Sequence, residues 1–418
     1  MQTGEGFVSK GSNLSKTADF NKSVILDAIR RLGDNSSRVA LAKVTGLSTQ
    51  TVSNICKKLI EAGLIRESGE YFKTEGKGKP RTVIELIPDS RFAVGVHIDP
   101  SVISTVLVDF RGNLIRKEEF ETSPNMSPEG IVKKIAAQIN TIISSPKIDR
   151  SKILGIGIAS PGPINQELGV VMDPPNLMGW HRVPLRNQIS KATGLPVVLD
   201  KDSVAAAVGE LWSDTENYGQ DFLFVYTGIG IGLGIVIGGE VYRGTSGNSG
   251  EIGQIKVSDS ANVKGKKISG NLETLLQPIS LVEEAERKGV LPENRVGNSP
   301  KDITTKFHEL QLLARSGNAA AQEIFSRAVQ NFAKAVGLLT NIFDIRRVVF
   351  GGPFWPIFQH LYLPNLPRLV TEHSSLASES ELRMSSSNIG SNVVAIGAAC
   401  LVLDNVFSPR SGKLVFDS

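Results

Sequence analysis

Cysteine is nearly absent from this 418-residue chain, which holds only Cys56 and Cys400, far apart in sequence. The two could pair in principle, but so few thiols in so long a chain read as reduced and cytoplasmic. Long apolar runs are missing as well. No stretch approaches the ~18 continuous apolar residues of a membrane helix, and the first sixteen residues lack the apolar segment of an export signal. These absences point away from membrane insertion and export. A strong charge of one sign is also lacking, the formal net charge being +4. What remains is the composition of a soluble globular protein, 40% hydrophobic and 21% charged, with length for two or three domains.

The small net charge is unevenly spread. Residues 1–88 hold 14 Lys and Arg against 9 Asp and Glu, whereas the remainder holds 32 against 33. A basic head on a neutral body implies a polyanion partner for the head alone.

Within the head, Val24, Ile25, Ala28, Ile29 and Leu32 recur at helical spacing, and Gly33 stops the run. A short second helix is expected from Ser37 to Val44, with Val39, Leu41 and Ala42 as its apolar residues. Gly46 then permits a tight turn, Leu47 can enter the core, and Ser48 is a natural N-cap for a third helix. In that helix Val52, Ile55 and Leu59 make one apolar face, while Gln50, Thr51, Ser53, Asn54, Lys57 and Lys58 point elsewhere. Helix, short helix, glycine turn and polar-faced helix is the order of a helix-turn-helix. Beyond Gly63, residues 65–87 read as a hairpin from Arg66 to Leu86 whose tip, residues 75–81, is glycine-rich and basic, which makes a wing. The expected organisation is an arm over residues 1–19, a winged helix-turn-helix over 20–88 and a body over 89–418.

This geometry sets the chemistry. Ser48, Thr49, Gln50, Thr51, Ser53 and Asn54 are short polar side chains placed to reach base edges in a major groove. Lys57 and Lys58 suit phosphates, and Lys77, Lys79 and Arg81 on a slim loop suit the adjacent minor groove. The plainer alternative is a three-helix protein-interaction module with a solvated polar face. Helix order, wing and local charge agree on double-stranded DNA.

After Pro88, strands alternate with helices as in an α/β domain. Phe92–Ile98 leads through a turn to Val102–Val108, and Phe110–Asn113 turns the chain again. Phe222–Tyr226 repeats the plan through the glycine loop Gly228–Gly232 to Leu233–Ile237 and a turn at Gly238–Glu240. Two similar beginnings imply a duplicated, two-lobed architecture with a cleft between the lobes. A late segment, Ala319–Phe343, has apolar residues Ile324, Phe325, Val329, Phe332, Val336, Leu339 and Ile342 at helical spacing, so it is expected to pack inside the body.

An ordered set of motifs runs through this body: Ser160-Pro161-Gly162-Pro163-Ile164, Pro175-Asn176-Leu177 with Trp180, Leu195–Leu199 with Asp202, Tyr242-Arg243-Gly244, Gly250-Glu251-Ile252-Gly253, and Val348–Pro353. With these, the sequence resembles the ROK family of repressors, open reading frames and sugar kinases, from about residue 20 to residue 405, and is similar to its repressor branch. The resemblance implies an actin/hexokinase-like fold.

It also implies sites, and several have changed. The family's first phosphate loop looks like Asp-x-Gly-x-Thr, where this chain has Asp99-Pro100-Ser101-Val102-Ile103. Proline removes an N–H donor, the glycine is gone, and Val102 and Ile103 add bulk. The second loop, Thr227–Gly232, keeps its glycines and reads either as a phosphate cradle or as a tight structural hairpin. Where the family has Glu-Asn-Asp-Ala-Asn, this chain has Asp200-Lys201-Asp202-Ser203-Val204. Asp202 matches the base that would accept a sugar hydroxyl's proton, among altered neighbours, and so reads as vestigial. Two damaged motifs imply that the chain is not an enzyme. Family members with a structural zinc continue Gly-Glu-Ile-Gly with histidine and carry three cysteines. Here Gln254 takes the histidine's place, Asn271 stands at a cysteine position, and no zinc or other cofactor is expected.

Carried over by motif, the sugar-facing residues are Asn165, Lys201, Asp202, Glu251, Gln254 and Glu273, whose carboxylates and amides suit a polyol. Lys201 either favours a phosphorylated or acidic sugar or neutralises Asp200 and Asp202. Either a sugar derivative binds, or the cleft is a relic held by internal charges. Together these readings describe a cytoplasmic repressor of carbohydrate genes, a homodimer or dimer of dimers on an operator. A bifunctional sugar kinase with an operator-binding head and a ligand-independent regulator are the alternatives.

Overall fold

The computed structural model describes residues 14–72, 81–122, 126–175, 177–214, 219–259, 261–263, 266–293, 300–376, 378 and 381–407. They form two compact units, the first taking residues up to Arg91 and those from Leu403 on, the second Phe92–Val402.

In the first unit, α1 (Leu14–Leu32) contains no glycine or proline, and Lys22 reaches back to Asp19 at 2.8 Å. The helix therefore starts at Leu14, inside the segment expected to be an arm. α2 (Arg38–Thr45) is capped by Ser37, whose side chain accepts the Ala40 N–H, and ends at Gly46 in the left-handed region at φ 71°. α3 (Thr49–Glu61) starts at Ser48, whose Oγ accepts the Thr51 N–H at 3.1 Å.

The three helices meet on Ile25, Ile29, Leu41, Val52, Cys56 and Leu59, all buried, and burial pushes the Cys56 thiol pKa up. Val39, expected in this core, is 48% exposed. A helix of 8 residues turns one narrow face inward, and Leu41 occupies it. β1 (Ile65–Phe72) and β2 (Arg81–Leu86) pair antiparallel, with Ile65 opposite Leu86 and Phe72 opposite Arg81. Arg81 thus opens a strand, a correction to its place in the tip. Lys77 and Lys79 lie outside the described residues. The Ile84 N–H donates to the Ser36 carbonyl at 2.8 Å and ties the hairpin to the helices.

The second unit holds two sheets of one plan. The first contains β3 (Phe92–Ile98), β4 (Val102–Asp109), β5 (Leu114–Glu121) and β6 (Ile153–Ser160). After the short pair β7 (Ile164–Asn165) and β8 (Val170–Val171), β9 (Val197–Lys201) completes it in the order β5-β4-β3-β6-β9. The second contains β10 (Phe222–Thr227), β11 (Ile231–Ile237) and β12 (Glu240–Val241). Past the hairpin of β13 (Ala261–Val263) and β14 (Lys266–Ile268) come β15 (Arg347–Gly351) and β16 (Arg383–Ser386), giving β12-β11-β10-β15-β16. In each sheet the first three strands in chain order meander antiparallel and the last two are added in parallel. β11 begins at Ile231, earlier than expected, because Ile231 pairs with Thr227 across a turn of Gly228, Ile229 and Gly230.

α4 (Pro128–Ile143) and α5 (Leu185–Thr193) bury one face of the first sheet through Ile135, Ile139 and Ile189 against Val94, Ile156 and Leu199. A second apolar cluster joins Leu223, Val225, Leu233 and Val348 to the helices of residues 272–371, among them Ala319–Phe343. In that long helix Ile324, Phe325, Val329, Phe332, Val336 and Leu339 are buried, but Ile342 is 70% exposed. Its last turn passes the edge of the cluster, where Phe343 packs instead.

Between the sheets lie α6 (Asp202–Ser213) and residues 393–402 of the final helix, Val393–Phe407, in backbone contact. A Cβ at Gly397 would stand 1.8 Å from the Ala205 carbonyl oxygen, and one at Gly157 on β6 would stand 1.8 Å from that of Ala398. On the other side, a Cβ at Gly234 on β11 would approach the Ser203 carbonyl oxygen to 2.5 Å. Only glycine fits these crossings. Among the described residues, no helix is long and apolar enough to cross a membrane.

Candidate nucleic-acid interface and cleft

α3 presents its polar residues outward because Val52, Ile55, Cys56 and Leu59 take its inner face. Thr49, Gln50, Asn54, Lys57 and Lys58 are exposed, and Ser53 is half-buried. Gln50 donates to Asn54 at 3.1 Å, which pre-positions two amides one turn apart. Ser48 caps the helix as its sequence implies, and Thr51 joins it. Their hydroxyls lie 2.8 Å apart and Ser48 also holds the Thr51 N–H, so both are engaged in starting the helix. The face left open runs through Thr49, Gln50, Ser53 and Asn54, with Lys57 and Lys58 beyond.

In the body, β9 delivers Asp200 and Lys201 to the start of α6, and Asp202 is the first residue of that helix. Asp200, fully buried, accepts from Arg243 Nε at 2.8 Å. Lys201 is 2% exposed, and its ammonium donates to Glu251 Oε1 and, at 3.0 Å, to the Ser249 carbonyl. The direct partner of Lys201 is therefore Glu251, while its charge still acts on Asp202 beside it. Asp200 and Lys201 form crossed ion pairs with Arg243 and Glu251, at either end of one loop. Asn248 in that loop completes the fastening, accepting the Ile164 N–H and donating to the Ile164 carbonyl, both at 2.8 Å. Gly250 makes the loop possible. Its φ of 85° and a virtual Cβ only 1.9 Å from the Leu233 carbonyl oxygen admit no side chain.

Burial pushes the Asp202 carboxyl pKa up to about 7, against the opposing effects of Lys201 and of the Ser203 N–H, while Glu251 and Asp99 add to the rise. Glu273 receives Gln254 Nε2 at 3.0 Å and Gln277 Nε2 at 2.7 Å. Asn165 is another of the expected sugar contacts. Its side chain accepts the Leu168 N–H at 2.9 Å and so caps a local turn.

At the first expected phosphate loop the turn is hydrogen-bonded within itself. Asp99 accepts from both the Ser101 N–H, at 2.9 Å, and the Ser101 hydroxyl, at 2.5 Å. Across the cleft the Gly228 N–H donates to the Gly230 carbonyl at 2.9 Å, and the Tyr226 hydroxyl lies against Gly228. Burial drives the Tyr226 hydroxyl pKa well above its ordinary value, and Asp99 and Asp202 push it further. Beside these residues opens a cavity of about 610 Å³ lined by His97, Asp99, Ser104, Glu119, His308 and Phe354, among others. Neither Lys201 nor Glu251 is part of its lining.

The zinc positions have been rewired too. Asn271 Nδ2 donates to Gln254 Oε1 at 3.2 Å, so an amide pair spans two places where the family resemblance sets zinc ligands. Neither amide supplies the thiolate or imidazole such a site requires. Arg243, Asn248 and Ser249 were missed as cleft residues. The available signal was a lone arginine in a loop of glycine and serine, in a chain whose Asp200 needs a buried partner.

Residues 93–405 match the model of the ROK family, and residues 19–70 match that of the MarR family. The chain is similar to the xylose repressor of Caldicellulosiruptor bescii, 27% identical over 393 residues that cover 93% of this chain and 96% of that protein. It is also similar to the glucokinase of Halalkalibacterium halodurans, 27% identical over 343 residues that cover 77% of this chain and 98% of that one. Among solved structures, a ROK family transcriptional regulator described as a homologue of the E. coli MLC protein superposes with a TM-score of 0.75. It is 20% identical and covers 94% of this chain and 97% of its own, a likeness of fold.

Proposed function

The chain belongs to the ROK family, and from that premise we propose that it is a DNA-binding transcriptional repressor of carbohydrate genes, responsive to a sugar or sugar derivative in its cleft. The observation that carries this reading is the extent of the similarity. The repressor relative is matched across 93% of this chain, whereas the glucokinase accounts for 77%, less than head and body together. In this reading Thr49, Gln50, Ser53 and Asn54 meet base edges, Lys57 and Lys58 meet phosphates, and Lys77, Lys79 and Arg81 on the wing approach the minor groove. A homodimer, or a dimer of dimers, sets two α3 helices on a two-fold operator. A ligand that changes the angle between lobes then changes operator affinity, and the operator changes ligand affinity by the same factor.

The test is selection of genomic fragments by the purified full chain at near-physiological salt, followed by sequencing. Enrichment of a few two-fold symmetric sites near carbohydrate genes is expected. Enrichment no better than background would sink the repressor reading.

One observation favours the kinase as a second reading. A carboxyl with a pKa of about 7 at Asp202 is well tuned for a general base. The phosphate side argues the other way, since Asp99 is occupied by Ser101 and Pro100 offers no N–H. Sugar-dependent ATP consumption across a hexose panel is expected to be absent; its presence would restore the kinase.

A further inference from the structure

The pair formed by Lys201 and Glu251 sits against the Gly162 loop. A Cβ at Gly162 would lie 3.0 Å from Lys201 Cε and 3.1 Å from Glu251 Oε1, so the two side chains fill the space before that loop. The partners are unequal. The Lys201 side chain is 2% exposed and the Glu251 side chain 58%. Glu251 can swing into water at little loss, but Lys201 cannot lose its anion, because a buried ammonium without a counter-charge is strongly unfavourable. A neutral polyol that pushed Glu251 aside would strand Lys201. One that left Glu251 in place would find a carboxylate oxygen already committed.

We propose that Lys201 selects a sugar acid, a polyol bearing a carboxylate that takes the place of Glu251 on the Lys201 ammonium while its hydroxyls meet Asp202, Glu273 and Gln254. This rests on the reading of the cleft as a sugar-derivative site and narrows the class of ligand. A carboxylate reproduces the charge and the trigonal oxygens of the group it displaces. A phosphate would bring a second negative charge to a site that already holds Asp202 and the displaced Glu251. Near neutral pH Asp202 holds its proton part of the time, which lets a single negative charge in more readily than two. Displacement also frees Glu251 from Lys201 and so undoes one of the fastenings of the Arg243–Glu251 loop, which links ligand entry to movement of the lobes.

The experiment is calorimetric titration of the full chain with glucuronate, galacturonate and gluconate, beside glucose, galactose and xylose, glucose 6-phosphate, and acetate as a charge-only control. At least one sugar acid is expected to bind ten-fold or more tightly than its neutral parent, with acetate silent. Lys201→Asn is expected to abolish that preference. If Lys201→Asn does not fold, the double variant Lys201→Met with Glu251→Leu, which removes both charges together, serves instead and is expected to lose the preference as well. Neutral sugars binding as well as their acids would overturn the proposal and leave the sugar-responsive reading standing. Glucose 6-phosphate binding tightest would overturn the carboxylate assignment. Failure of every sugar to bind would remove the effector reading and this proposal together.

Discussion

The two lobes share a strand order, yet their opening hairpins have diverged in opposite ways. In the first, β3 and β4 are joined by a turn in which Asp99 is bound by Ser101 and proline replaces an amide donor. In the second, β10 and β11 are joined by Gly228, Ile229 and Gly230, and glycine persists. The same contrast separates the two sides of the cleft. On the side of Asp99 and Gly228 the turn hydrogen bonds are local, two residues apart. The side of Asp200 and Lys201 is held by long-range pairs, Asp200 with Arg243 and Lys201 with Glu251. Local closure can be altered without disturbing the frame, whereas the long-range pairs are part of it.

The strongest way to break this comparison is to remove the frame that both sides share. Gly397→Val forces a Cβ into the Ala205 carbonyl, and a loss of about 3 kcal/mol or more is expected, read as absent or low-temperature unfolding by circular dichroism. Next comes Arg243→Met, which leaves a fully buried Asp200 without its cation. Removing one partner of such a pair costs about 3 kcal/mol, whereas Pro100→Ala on the phosphate side is expected to shift the denaturation midpoint little. Equal shifts in the two variants would erase the distinction between the sides.

A pH series sharpens it further. The Asp202 carboxyl titrates near 7 in the fold against 3.8 ordinarily, so the folded chain keeps a proton that the unfolded chain releases between those values. Its contribution to stability is therefore greatest at low pH, declines as pH rises from about 4 to about 7, and is level above that. Asp202→Asn should flatten this decline in thermal melts. A slope unchanged by the substitution would move the proton elsewhere. The smallest effect lies outside the cleft. Lys57→Ala should leave the melting temperature in place, weaken operator binding several-fold, and lower the salt dependence of binding by about one ion.

Much of this was legible in the sequence, and the reason is local. Ser37, Gly46 and Ser48 announce helix ends through their own backbone chemistry, and Val52, Ile55 and Leu59 announce a face by spacing. The duplicated lobes were visible because each begins with the same strand-turn-strand pattern. What escaped depends on partners distant in the chain. Nothing near Lys201 says that its anion is Glu251 rather than Asp200 or Asp202, and nothing near Asn165 says that it turns to Leu168. Val39 and Ile342 read as core by type, but on a short helix and at a helix end they are left exposed.

Each compact unit carries one fully buried thiol, Cys56 on α3 and Cys400 on the final helix. A thiol-blocking reagent reaches neither until the surrounding packing opens, so the rate at which each sulfur is consumed counts the openings of its own unit. The chain thus contains two internal clocks, one for the head and one for the body. Adding operator or sugar should slow one of them first, and which one slows tells where that partner's binding energy is felt.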